Sequence, residues 1–237
     1  MNNIKFDFTG KEVLVIGGSR GIGKGVVLNF VAANANVSYV SKKPMYETIE
    51  NLKHFSCDIE KEKEIQELFE YFSKLDILIN VAGINYCKKI NDISAKEWDN
   101  VIDINLKSYF LIIKNTLGIM KKGGKIVNVS SIAGRHRSLV SGVHYVSSKA
   151  GIIGLTRQIA YEVGNRGINV NCVCPSQTLT DMLKESMTEA ELEKLAQSIP
   201  LKRLASIDDQ VYPIMFLCSE EASYLTGSIL DVNGGQL

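Results

Sequence analysis

Val13-Leu-Val-Ile-Gly-Gly-Ser-Arg-Gly-Ile-Gly23 runs a β-branched apolar block straight into a glycine-rich turn, and residues 22–33 then carry a helical pattern. Glycines at such a point let the chain turn sharply off a strand, let the backbone approach a pyrophosphate, and let the helix pack closely on the sheet. The helix start adds free N–H groups and the positive end of its dipole. A glycine cluster alone is a weak signal, but at the first strand-to-helix turn it points to a nucleotide phosphate.

The alternation continues along the chain. Blocks at 13–16, 37–40, 54–57, 75–80, 125–129, 168–173 and 229–232 read as seven strands, and helical patterns at 22–33, 61–72, 145–163 and 208–217 lie between them. Ser94 and Glu97 form a capping-box pattern that opens a long helix through Phe110, and Thr188 and Glu191 repeat the device. Several strands are apolar at successive positions, so both faces of the sheet are covered. The expected fold is α/β: a Rossmann-type doubly wound, seven-stranded parallel sheet with helices on both faces. No repeat, low-complexity tract or linker interrupts residues 1–237, which read as a single domain.

Composition narrows the function. With 27 Lys and Arg against 26 Asp and Glu, the net charge of +1 gives no global pull toward nucleic acid or an anionic membrane. No stretch approaches about 18 uncharged apolar residues, so no membrane span is expected, and the N-terminus has no signal-peptide pattern. The five cysteines, at 57, 87, 172, 174 and 218, contain no Cys-x-x-Cys pair. Cys172 and Cys174 share one strand face and read as small buried hydrophobes in a reducing, cytoplasmic setting. His136 and His144 lack metal-ligand spacing and read as solvated or structural; no metal is expected.

Tyr145 and Lys149, four apart on a helical segment, share one face. A phenol near pKa 10 is a poor acid–base catalyst at neutral pH, and a nearby ammonium favours the phenolate and brings it closer to the working range. Tyr-x-x-x-Lys arises by chance, but Ser131 ends the fifth strand, and the carboxyl ends of strands would set it along one edge with Gly17–Gly23 and Asn80–Gly83.

The spacing Gly17-x-x-x-Gly21-x-Gly23 resembles that of the short-chain dehydrogenase/reductase family. The resemblance extends through Asn80-Val-Ala-Gly83, Asn105, Asn128-Val-Ser-Ser131, Tyr145-Val-Ser-Ser-Lys149, Pro175, Tyr224-Leu-Thr-Gly and Val232-Asn-Gly-Gly235. It implies hydride transfer between a nicotinamide and a carbonyl or secondary alcohol. It further implies that Ser131 holds the substrate oxygen, Tyr145 exchanges the proton, Lys149 also binds the ribose, and Asn105 anchors a relay water. Ser130, the neighbouring hydroxyl, is the alternative to Ser131.

The same resemblance assigns the cofactor to Gly17, Ser19, Arg20, Gly21, Ile22, Gly23, Ser41, Lys42, Asp58, Ile59, Asn80, Ala82, Gly83, Tyr145, Lys149, Pro175, Thr178 and Thr180, with Asp58 and Ile59 at the adenine. The end of the second strand, Val40-Ser-Lys-Lys43, has no acid for ribose hydroxyls. Arg20, Ser41 and Lys42 offer donors to a 2′-phosphate, so NADP(H) is expected over NAD(H).

Three departures from the family pattern carry expectations. Ile16 and Val81 stand where the family has polar residues and are expected to form a compensated apolar pair. Ser176 replaces a glycine after Pro175. Residues 42–57 are short, leaving little room for a full helix and thinning the adenosine wall.

Residues 177–200 correspond to the family's substrate lid. The greatest similarity is to 3-oxoacyl-[acyl-carrier-protein] reductases, which implies a small-molecule or carrier-bound carbonyl substrate and, by match, a carrier-docking patch at Lys121, Lys122 and Arg166. A dehydrogenase of sugars, polyols or other small secondary alcohols is the runner-up, and a non-catalytic nucleotide-binding regulator the third reading. A homotetramer is expected by resemblance, with a dimer as fallback.

Overall fold

The computed structural model of the chain describes residues 6–45, 49, 52–138 and 140–237. Strands β1 (Glu12–Ile16), β2 (Asn36–Val40), β3 (Lys53–Phe55), β4 (Leu75–Asn80), β5 (Met120–Val129), β6 (Asn169–Pro175) and β7 (Ile229–Val232) form one parallel sheet in the order β3-β2-β1-β4-β5-β6-β7. Helices α1 (Gly21–Ala32), α2 (Glu62–Phe69), α3 (Ala95–Ile102), α4 (Ser108–Ile119), α5 (Val143–Val163), α6 (Asp181–Ser186), α7 (Glu189–Ser198) and α8 (Ile207–Cys218) connect them. This is the Rossmann-type sheet that the alternation predicts. Its order reverses between β1 and β4, where sheets of this type open a ligand crevice beyond the carboxyl ends of the strands.

The residues of β1 show why both faces are covered. Val13 and Val15 join a core with Val26 and Phe30 of α1 and Val211 and Ile214 of α8. Leu14 and Ile16, pointing the other way, join Ile65 of α2, Ile112 of α4 and Ile159 of α5. All four strand residues are at most 1% exposed. Full burial of side chains this size is worth about 1.5–3 kcal/mol each, so neither layer of helices could be lost without cost.

Several element boundaries differ from the sequence expectation. β3 stops at Phe55 because its neighbour β2 ends opposite it, at Val40. β5 begins at Met120, five residues early, by admitting a register shift opposite Leu75/Ile77, with Gly123 at φ +87°. α2 ends at Phe69, not at residue 72. Among the described residues no helix links β2 to β3; 46–48, 50 and 51 lie outside the description.

The helix opened by Ser94 is interrupted by a π-helical turn, Asp103–Lys107, between α3 and α4. Only half of its capping box forms. Ser94 Oγ accepts from the Glu97 N–H at 3.2 Å, while the Glu97 carboxylate turns to the Lys88 ammonium at 2.7 Å, a stronger charge-assisted partner than a backbone amide. Thr188 and Glu191 make both halves, and so do Ser206 and Asp209 at the start of α8.

Ile16 and Val81 do not form the expected side-chain pair. They pack into opposite core layers, and the link between them is backbone: the Val81 and Ala82 amides both donate to the Ile16 carbonyl at 2.9 Å. Among the described residues no helix is long and apolar enough to cross a membrane.

Candidate active site

The glycine turn is built by exclusion. Gly17 has φ +91°, and a Cβ on it would lie 2.7 Å from the Ala82 backbone; a Cβ on Gly23 would lie 2.1 Å from the Gly17 carbonyl oxygen. The turn therefore closes against the end of β4, and only glycine permits it. The α1 N-cap, Arg20, makes no side-chain cap, and no acid occupies the first turn. Uncapped amides at the positive end of a dipole, free of carboxylates, fit a pyrophosphate. Ser19, Gly21 and Ile22 are partly exposed at this mouth, and the Thr180 methyl lies 3.4 Å from where a Gly21 Cβ would stand. Thr180 thus brings the start of α6 to the glycine turn.

The adenosine side differs from expectation. Lys42 Nζ pairs with Asp58 at 3.1 Å and with Glu60 at 3.1 Å, and Asp58 also faces Lys61 at 3.9 Å. The Ser41 hydroxyl donates to the Lys43 carbonyl at 2.5 Å. Lys42 and Ser41 are therefore already engaged. Hydrogen bonds that the Lys42 ammonium donates to Asp58 and Glu60 hold it above its ordinary pKa. Arg20 is exposed; its backbone carbonyl accepts from the Lys24 N–H at 3.1 Å, while its guanidinium makes no hydrogen bond or ion pair among the described residues. Ile59 is half-buried against the layer containing Leu14.

Beyond β4 and β5 the four candidate catalytic residues converge. Asn105, in the π-helical turn and fully buried, accepts from the Ile84 N–H at 2.8 Å and donates to the Ile84 carbonyl at 2.9 Å and to Ser148 Oγ at 3.1 Å. Ser148 in turn donates to the Tyr145 carbonyl at 2.7 Å. Such turns recur at functional sites. A Cβ on Gly83 would lie 3.3 Å from Asn105 Oδ1 and 3.5 Å from Lys149 Nζ, so Gly83 keeps the floor between them open.

The two serines separate clearly. Ser130 is 3% exposed and donates to the Lys149 carbonyl at 2.7 Å. Ser131 is half-buried and caps a single 3₁₀ turn, Ile132–Gly134, by accepting from the Ala133 N–H at 3.1 Å. That turn rests on the α5 backbone at Lys149, where a Cβ on Gly134 would lie 2.6 Å from the Lys149 carbonyl carbon. Arg135, just past it, grips Asp231 of β7 with two bonds of 3.0 Å.

Lys149 Nζ does not bond the Tyr145 phenol. It donates to the Val129 carbonyl at 2.9 Å, with the Tyr109 and Tyr145 ring centroids at 5.8 and 5.7 Å. Burial pushes the Lys149 ammonium down to about 8. Burial also raises the Tyr145 phenol above its ordinary value, with the Ser131 side chain pulling the other way. The expected net lowering of Tyr145 is thus not seen, and the lysine's bond goes elsewhere: a buried amine must satisfy its hydrogens, and a backbone carbonyl does so first.

Other predicted cofactor residues lie along the same edge in different states. Asn80 is fully buried and donates to Asn128 Oδ1 at 2.9 Å, so its side chain braces β4 against β5 and does not face the crevice. Asn128 passes the chain to Thr156 of α5 at 3.0 Å. Pro175 ends β6 opposite Val232, and Thr178, 7% exposed, donates to the Ser176 carbonyl at 3.0 Å. Sequence reading missed Tyr109, whose hydroxyl lies 3.0 Å from the Ala82 carbonyl and 3.3 Å from that of Val129, tying together the strand ends that frame the site. Its spacing of four from Asn105 is the signal that could have found it.

Arg166 donates to the Leu117 and Met120 carbonyls at 2.7 and 3.0 Å, closing α4. Lys121 and Lys122 are exposed at the start of β5, the opposite end from Ser131. Within one chain this trio is therefore not at the crevice edge.

The enoyl-(acyl carrier protein) reductase family model matches residues 16–236. A 3-oxoacyl-[acyl-carrier-protein] reductase FabG from Rickettsia typhi is 36% identical, with 98% of each chain covered. Among solved structures, a short-chain dehydrogenase from Leptospira borgpetersenii with bound NAD+ superposes with a TM-score of 0.90 at 29% identity, covering 99% of this chain and 96% of that one. The ligand-free aldohexose dehydrogenase of Thermoplasma acidophilum gives 0.88 at 29% identity, covering 96% and 94%. A full-length sequence match, a parallel sheet of the same topology and a glycine turn shaped for a dinucleotide converge: the chain belongs to the short-chain dehydrogenase/reductase family and is an NAD(P)-dependent oxidoreductase.

Proposed function

We propose that the chain, acting as one domain in the cytoplasm, reduces a 3-oxoacyl thioester with NADP(H). The observation that carries this is the placement of Ser131, half-buried and partly open, beside Tyr145 and above Lys149 at the crevice edge, with Ser130 already bonded away. The likeness to carrier-protein reductases over 98% of the chain supports the substrate class.

When bound, the nicotinamide supplies or accepts the hydride. Ser131 Oγ–H orients the substrate carbonyl oxygen, and Tyr145 gives that oxygen its proton as negative charge develops there. Lys149 keeps a positive charge 5.7 Å from the Tyr145 ring, which steadies the phenolate left behind; the family resemblance supports its holding the ribose as well. Asn105 fixes the Ile84 backbone and, through Ser148, the turn that carries Tyr145.

The preference for NADP(H) rests on Arg20 and on the missing acid after β2, with Lys42 joining only if it leaves Asp58 and Glu60. Residues 177–200 serve as the lid. They form α6 and α7, and both ends are pinned where Leu179 N–H donates to the Ala205 carbonyl and Leu201 N–H to the Gly234 carbonyl. Phe110, 47% exposed, and Trp98, 36% exposed, leave apolar surface on α4 and α3 that suits a tetramer; light scattering on a sizing column that reports a monomer at micromolar concentration would refute it.

The likeness to an aldohexose dehydrogenase favours a sugar as the second reading. A screen crossing NADPH and NADH with acetoacetyl thioester, acyl-carrier thioester and aldohexoses decides between them. Turnover of the thioesters with NADPH supports the proposal; turnover of sugars alone supports the second reading; cofactor binding without any turnover leaves a regulator.

A further inference from the structure

Helix α5 carries Tyr145 and Lys149, yet it opens on Gly142, which has no side chain to cap it. A Cβ at Gly142 would lie 2.5 Å from Cε1 and 2.9 Å from Nδ1 of His144, so the glycine makes room for that ring. His144 is 0% exposed, and its Nδ1 accepts from the Tyr145 backbone N–H at 2.9 Å, shorter than the bond the same N–H makes to the Gly142 carbonyl at 3.1 Å. A ring nitrogen that accepts carries no proton, so the one ring hydrogen of the neutral imidazole sits on Nε2. Nε2 has no hydrogen-bond partner but lies 3.8 Å from Oε1 of Glu97, whose other oxygen is held by Lys88 at 2.7 Å. The same Glu97 does not complete the capping box of α3, and the missing half is what leaves its carboxylate facing His144.

We propose that His144 is a positioning residue for Tyr145: in its neutral Nε2–H form it accepts the Tyr145 amide hydrogen and fixes the turn from which the phenol projects. This rests on the reading that Tyr145 is the proton donor. The titratable and charged groups around the ring, among the described residues, are Glu97 from α3, Lys88 behind it, Tyr86 with its ring centroid at 6.2 Å, and Tyr145 on the same helix. His144 thereby sets the geometry of the phenol without touching substrate or cofactor.

The test is kcat and KM for cofactor and substrate on the wild type, His144→Ala, His144→Asn, His144→Gln and Tyr145→Phe. Asparagine puts an acceptor where Nδ1 stands, whereas glutamine places its amide nearer the Nε2 position. We expect His144→Ala and His144→Gln to lower kcat by roughly ten- to a hundredfold with KM for the cofactor little changed, the scale of a displaced catalytic group. His144→Asn should recover most of kcat. Wild-type kcat in His144→Ala, or no recovery in His144→Asn, overturns the proposal while Tyr145→Phe stays inactive. An active Tyr145→Phe enzyme overturns the parent reading and this one together. If the alanine variant does not fold, the asparagine and glutamine variants decide the question: equal kcat in the two overturns the proposal.

Discussion

The Lys149 ammonium reaches the Val129 carbonyl at 2.9 Å and stands 5.7 Å from the Tyr145 ring centroid, so lysine and tyrosine are coupled through space and not through a direct bond. Burial holds Lys149 at about 8, against an ordinary 10.5. Below about pH 8 it is charged and supports the phenolate; above, the support is lost. We predict that kcat/KM falls on the alkaline side with an apparent pKa near 8, since that ratio reports the free enzyme. Lys149→Arg, which keeps its charge, should move the limb upward. A profile flat from pH 7 to about 10 would show that Lys149 plays no electrostatic part.

Arg20 and Lys42 divide the expected 2′-phosphate site unequally. Lys42 is balanced by Asp58 and Glu60, each at 3.1 Å, whereas Arg20 stands exposed at the N-cap of α1. Arg20→Ala should lower kcat/KM for NADPH by roughly ten- to a hundredfold, the worth of a charged hydrogen bond, and leave NADH little affected. Lys42→Ala should do less. Equal losses with both cofactors in Arg20→Ala would remove the arginine from the 2′-phosphate reading.

A buried polar chain, Asn80 to Asn128 to Thr156, joins β4, β5 and α5, and all three residues are 0% exposed. Thr156→Val keeps the shape and removes the acceptor, leaving the Asn128 amide unpaired in the core. Urea titration should show a loss of about 1–3 kcal/mol. An unchanged midpoint would mean that the chain contributes nothing net.

Much of this architecture was legible in the sequence because it is written in period and punctuation. The successive apolar residues Val13, Leu14, Val15 and Ile16 demanded cover on both faces, and Gly17 and Gly23 stand where any Cβ would collide with backbone. What stayed hidden depended on choices among partners that spacing cannot rank. Glu97 prefers Lys88 to its own helix start, Lys42 prefers two acids to open solvent, and Lys149 prefers a carbonyl to the phenol. The chosen partners stand 9 to 20 residues away, beyond the local spacings that mark caps and helix faces. The π-helical turn that presents Asn105 is likewise invisible to a period of 3.6 residues.

Tyr145 is the residue on which the proposed chemistry turns, delivering the proton at an edge assembled from Ser131, Lys149 and Asn105. Its most direct test is single-turnover oxidation of NADPH by acetoacetyl thioester with Tyr145→Phe, alongside NADPH binding by fluorescence. Binding close to wild type and a rate lower by on the order of 10²-fold or more are expected; turnover near the wild-type rate with binding intact would contradict the assignment.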